Sequence, residues 1–245
     1  MSKQNEAGNA INVANFEDLI SFCTGYGAAY NPTKATLSLS ELNKKHLQAR
    51  AAMDGVNSAL PANTNAINAR EQVFAPLTKL VTRIPYAVVA SDAPANAVAD
   101  VKTLVRKLQG RRATPKVKDD PATPADESEN SNSSSQQSFD NRVEFLDKLI
   151  QLLAGLPGYK PNEPELNAAS LTALLANMKA ANSTVINSAT PLSNARIKRN
   201  DELYHPQTGL VAIAANVKAY VKSVFGLSSP QYKQLTKLKF KIVKP

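Results

Sequence analysis

Tryptophan is absent from this chain, cysteine occurs once, and only nine glycines and 6% aromatics are spread over 245 residues. Sheets draw on β-branched and aromatic side chains, so the shortage of aromatics argues against a β architecture and for helices that pack closely on alanine and leucine. A lone cysteine, Cys23, cannot close an internal disulfide, which fits a reducing compartment. No stretch approaches the 18 or so consecutive apolar residues of a membrane span, and the first 15 residues lack the apolar core of a secretory signal. The expectation is a cytoplasmic protein without a membrane span, in which the sequons at Asn132 and Asn182 carry no meaning.

Signatures of chemistry are equally scarce. The two histidines, His46 and His205, have no CxxC, HExxH or HxH spacing near them, and no glycine-rich phosphate loop or GxSxG elbow occurs. Cys23 sits on an apolar stripe with Phe16, Leu19 and Ile20, where packing outweighs a nucleophile's role. Asp201 and Glu202 are adjacent, so on a helix they point apart and read as a salt-bridged face beside Lys198 and Arg199. These features predict a non-enzyme, with no catalytic residue, no metal site and no cofactor.

What the chain does have is a likeness to itself. At a spacing of 129 residues, Phe16 to Arg70 matches Phe145 to Arg199 without gaps at 12 of 55 positions, among them Tyr30/Tyr159, Pro32/Pro161, Leu37/Leu166 and Arg70/Arg199. One inserted residue then aligns Phe74-Ala75-Pro76 with Tyr204-His205-Pro206. The spacing predicts an internal duplication. Between the copies, residues 110–138 contain Val117 as their only large aliphatic residue, too little to offset the entropy of ordering them. The predicted organisation is all-α: a helical bundle over 1–109, a disordered polar linker over 110–138, and a second bundle over 139–245 with a Lys-rich tail.

Each bundle is expected to be antiparallel with about four helices. Helix 1 is predicted over about 15–25 and 139–156, helix 2 from Ser40 or Ser170 to about Leu60 or Asn187, helix 3 over about 63–90 and 191–225. Helix 3 should be broken or kinked at Pro76 and Pro206. The last helix should start near Pro94 and near Ser229-Pro230, with Gly226 ending the helix before it.

Charge is the one composition signal that bears on partners. The net +9 divides into +3 over residues 1–108, −1 over 109–138 and +7 over 139–245. Lys233, Lys237, Lys239, Lys241 and Lys244 crowd the C-terminal end without an acid among them, and Arg111 and Arg112 stand where the first half meets the linker. These are the candidate polyanion contacts. The break at Tyr204-His205, with Arg199 one turn before it, is the candidate pocket. The leading expectation is an intracellular interaction or scaffold protein that binds another protein through two similar bundles. The alternative is a nucleic-acid-associated protein that uses the basic C-terminal half.

Overall fold

The computed structural model describes residues 6–111 and 137–243. Among these residues the secondary structure is helical, without strands. Eight α-helices follow in order: α1 Glu6–Gly25, α2 Leu39–Phe74, α3 Leu77–Val89, α4 Ala95–Leu108, α5 Phe139–Ala154, α6 Ala168–Tyr204, α7 Leu210–Phe225 and α8 Pro230–Lys237. Short 3-10 turns at Ala35–Leu37 and Pro164–Leu166 precede α2 and α6.

Local chemistry explains most boundaries. The Ser138 hydroxyl accepts from the Asn141 N–H at the start of α5, and the Ser229 hydroxyl accepts from the Tyr232 N–H at the start of α8. Asn167 Oδ1 accepts from the Ser170 N–H at 2.8 Å, which makes Asn167 rather than Ser170 the cap of α6. Gly226 follows α7 with φ of 86°, a left-handed backbone that glycine adopts without strain. Pro76 and Pro206 lie in the breaks after α2 and α6, as a residue that removes a helical hydrogen bond should. Helix 1 is longer than expected, since it starts at Glu6 and not near Asn15.

The larger departure concerns helices 2 and 3. Instead of ending near Leu60 and Asn187, each long helix runs on, with Pro61 inside α2 and Pro191 inside α6. Burial flanks each proline: Val56, Asn63 and Ala66 on α2, Asn182 and Leu192 on α6. Packing on both sides outweighs the roughly 3 kcal/mol that a proline costs in a helix interior. A helix of 36 residues extends about 54 Å.

The consequence is an exchange between the halves. The chain forms two compact units, the first from residues 1–63 and 188–245, the second from residues 64–187. In the first unit α1 packs on α7 and α8, and in the second α5 packs on α4, which packs on α3. The first core joins Phe16, Leu19, Cys23 and Leu42 to Leu210, Val217, Val221 and Leu235. The second joins Leu77, Val81, Ile84 and Val101 to Leu146, Leu149, Leu153 and Met178. Each core thus draws on both halves of the sequence. The expected division into bundles 1–109 and 139–245 is not the one that packing makes, because the continuous α2 and α6 prevent the chain from turning back on itself at residues 60–63 and 187–191.

Of the segment read as a linker, residues 112–136 lie outside the described residues. Its two ends meet within the second unit, where Gln137 Nε2 donates to the Lys107 carbonyl at 2.8 Å. The helices on either side of it, α4 and α5, belong to one unit.

Candidate functional site

The basic C-terminal segment belongs to the first unit, and its backbone is held. Beyond α8 the chain lies along α1, where Asn12 grips Lys241 from both sides. Asn12 Nδ2 donates to the Lys241 carbonyl at 2.7 Å, and its Oδ1 accepts from the Lys241 N–H at 3.0 Å. Asn15 Nδ2 donates to the Lys239 carbonyl at 2.8 Å. Lys218 Nζ on α7 donates to the Leu238 carbonyl at 2.5 Å and stands 4.9 Å from the centre of the Phe240 ring. Burial, and then the nearby charge of Lys239, holds the Lys218 ammonium below its usual pKa.

Extended backbone alternates its side chains, and the alternation sorts this segment. Leu238 and Phe240 pack against the first core, whereas Lys239 and Lys241 are exposed. Lys233 and Lys237, four residues apart on α8, are exposed as well. Four of the candidate polyanion contacts are therefore free to reach solvent within one unit. Arg111 is exposed but belongs to the second unit, and Arg112 and Lys244 lie outside the described residues. The aromatics among these lysines are engaged: Phe240 and Tyr232 pack against the core, and Lys222 Nζ stands 6.0 Å from the Tyr232 ring centre.

The candidate pocket residues are tied into the fold. Arg199 is 1% exposed, and its Nε and Nη2 donate to Asn200 Oδ1 at 3.1 and 2.9 Å. The Tyr204 hydroxyl donates to Asn9 Oδ1 at 2.5 Å and accepts from Asn12 Nδ2 at 3.2 Å. His205 Nδ1 accepts from the Gln207 and Thr208 N–H groups at 3.3 and 3.2 Å and pairs with the Thr208 hydroxyl at 2.9 Å, so its ring braces the turn before α7. Of the adjacent Asp201 and Glu202, Glu202 binds Lys45 of α2 at 2.8 Å.

Asn9 and Asn12, both almost fully buried, are the residues that sequence reasoning missed. They link Tyr204 to the backbone of the C-terminal segment. The signal was present: Asn9, Asn12 and Asn15 recur at i, i+3 and i+6, one polar stripe on a helix.

The residues kept at the 129-residue spacing adopt matching local structure where the tyrosines stand. Tyr30 donates to the Leu37 carbonyl at 2.7 Å, and Tyr159 donates to the Leu166 carbonyl at 2.8 Å. Arg70 and Arg199 do not match: the Arg70 guanidinium stacks 3.8 Å from the centre of the Phe139 ring. Cys23 is fully buried, and burial pushes its thiol up to about 12. His46 is buried with Nε2 3.7 Å from Glu17; burial lowers its pKa, Glu17 acts against that and Arg50 adds to it.

Among the described residues no helix is long and apolar enough to cross a membrane, and no group of three or more His, Cys, Asp or Glu side chains is placed to hold a metal. Comparison with protein-family models, with curated proteins and with solved structures finds no match to the chain.

Proposed function

We propose that the protein is a non-enzymatic intracellular interaction protein, a scaffold that offers two similar helical units to a protein partner, and that it arose by internal duplication. The observation that carries this reading is the tyrosine clamp built twice, Tyr30 on Leu37 in the first unit and Tyr159 on Leu166 in the second. Two similar surfaces on one chain raise the effective concentration of the second contact once the first is made. The test is capture of partners by the full-length chain from nuclease-treated lysate, followed by cross-linking mass spectrometry. Protein partners that survive nuclease and cross-link to both units support the reading. Capture that vanishes with nuclease contradicts it.

A second reading, association with nucleic acid, is favoured by the held C-terminal segment with Lys239 and Lys241 facing outward. Fixing the backbone in advance lowers the ordering cost of binding a polyanion. Because Phe240 and Tyr232 are packed inward, bases would find little to stack on, and the contact would be electrostatic and non-specific. Retention of DNA or RNA at about 50 mM salt tests it, since counterion release favours even a poor binder there.

A further inference from the structure

Among the differences between the two units, one falls where their frames agree, and it is the size of an aromatic ring. α7 begins at Leu210 and α3 at Leu77, and four buried positions coincide, Leu210, Ala214, Val217 and Val221 with Leu77, Val81, Ile84 and Val88, while Ile213 is buried in α7 alone and Pro85 in α3 alone. Each packs on the 3-10 turn that ends in the clamped leucine carbonyl, Leu37 for α7 and Leu166 for α3. Ten residues into α7 stands Tyr220. Its ring meets Tyr30 edge to face with 5.4 Å between centres, and its hydroxyl accepts the Asn31 N–H at 3.1 Å. Ten residues into α3 stands Ala87, and Tyr159 and Lys160 occupy the places of Tyr30 and Asn31.

In the second unit a cleft of about 480 Å³, open to solvent, lies beside Ala87 and is lined also by Leu166, Gly158, Pro161 and Lys160. The tyrosine of α3 comes one residue early, at Tyr86, and a shift of one residue turns a side chain about 100° around a helix. Tyr86 is consequently 74% exposed and forms part of the rim. On the opposite wall Gly158 comes so close to Ser91 that a Cβ would lie 2.5 Å from the Ser91 carbonyl oxygen. The Lys160 N–H, the counterpart of the Asn31 donor, makes no hydrogen bond among the described residues.

We propose that this cavity binds a small molecule that carries a phenol ring, with the ring in the place that Tyr220 fills in the first unit and the hydroxyl accepting the Lys160 N–H. The volume lies in the range of small-molecule sites, about 300–1,000 Å³, and leaves room for substituents on the ring. Arg83, paired with Glu165 at 2.6 Å, and Lys160 line the mouth, where substituents would emerge. The site lies in the second unit, away from the lysines of the first, and goes beyond the scaffold reading without depending on it.

The experiment is an amide NMR titration of the full-length protein with p-cresol, with toluene as the control that lacks a hydroxyl. A ligand this small should bind with Kd on the order of 1 mM. The expected result is saturable p-cresol shifts at Ala87, Lys160 and Leu166, with toluene at least about fivefold weaker because it cannot accept the Lys160 N–H. Ala87→Tyr should fill the cavity from within, abolish the p-cresol shifts and raise Tm. If that variant fails to fold, Ala87→Leu should reduce the shifts by partial filling. Shifts scattered elsewhere, equal affinity for toluene, or undiminished binding in the folded variant would overturn the proposal.

Discussion

The hydroxyl of Tyr30 reaches seven residues forward to the carbonyl of Leu37 at 2.7 Å, and both residues are buried. A buried carbonyl at the end of a 3-10 turn has no helical partner, so this bond fixes how the chain leaves α1 and enters α2. Tyr159 does the same for Leu166 before α6. Removing either hydroxyl by Tyr30→Phe or Tyr159→Phe should cost about 1–3 kcal/mol, because the carbonyl stays buried without its donor. The clamps share no partner, so denaturant titration of the double variant should show near-additive losses.

The buried groups near the first clamp set the alkaline limit. Cys23 is raised from 9.0 to about 12 by burial, partly offset by its contact with Tyr30, and burial, followed by Cys23, raises the Tyr30 phenol as well. Burial, and then Glu163, also raises Tyr159, to about 12. A raised folded-state pKa means that the native chain keeps a proton the unfolded chain has lost. Stability from these groups is therefore complete below pH 9 and falls as pH climbs towards 12. Urea titrations at pH 8, 9 and 10 should show the decline, and Cys23→Ala should flatten the part that begins near pH 9 while lowering stability at pH 8. Iodoacetamide should leave native Cys23 unmodified at pH 8 and label it only as the chain unfolds.

The C-terminal segment depends on two asparagines. Asn12→Ala removes both bonds to Lys241 and one to Tyr204, and should cost about 1–3 kcal/mol. Asn12→Ala/Asn15→Ala should also speed tryptic cleavage after Lys239 and Lys241 well beyond any change in global stability. Equal cleavage rates in the variant and the parent chain would show that the asparagines do not hold the segment.

Should nucleic acid be bound, the slope of log affinity against log salt reports the phosphates contacted. Replacing Lys237, Lys239 and Lys241 with Gln should flatten that slope by about two to three units, close to one for each lost contact. An unchanged slope would remove the segment as the contact surface.

The sequence already displayed the helical class, the breaks at Pro76 and Pro206, the start of α8 and the matched tyrosines, because periodicity, proline geometry and residue identity are local. It did not display the exchange of helices. Pro61 and Pro191 are local stop signals, and only burial on both sides of each, seen in three dimensions, shows why the helices continue. The asparagine stripe is not legible from the apolar pattern, because the apolar periodicity of helix 1 begins only at Phe16, whereas α1 begins at Glu6 and carries Asn9 and Asn12 on its first turns. The empty place beside Ala87 required a comparison of two packed helices, whose connecting segments differ in length and break the simple 129-residue register.

Each core is built from both halves of the chain, so cleavage between residues 112 and 136 should leave the halves associated. One core contains Phe16 and Val217, the other Val81 and Leu149, so no fragment carries a whole core. The nicked protein, passed over a size-exclusion column under native conditions, should elute as one species at the volume of the intact chain with its helical circular dichroism preserved. Two separate fragments, each soluble and each as helical as in the intact chain, would contradict the account and restore two independent bundles.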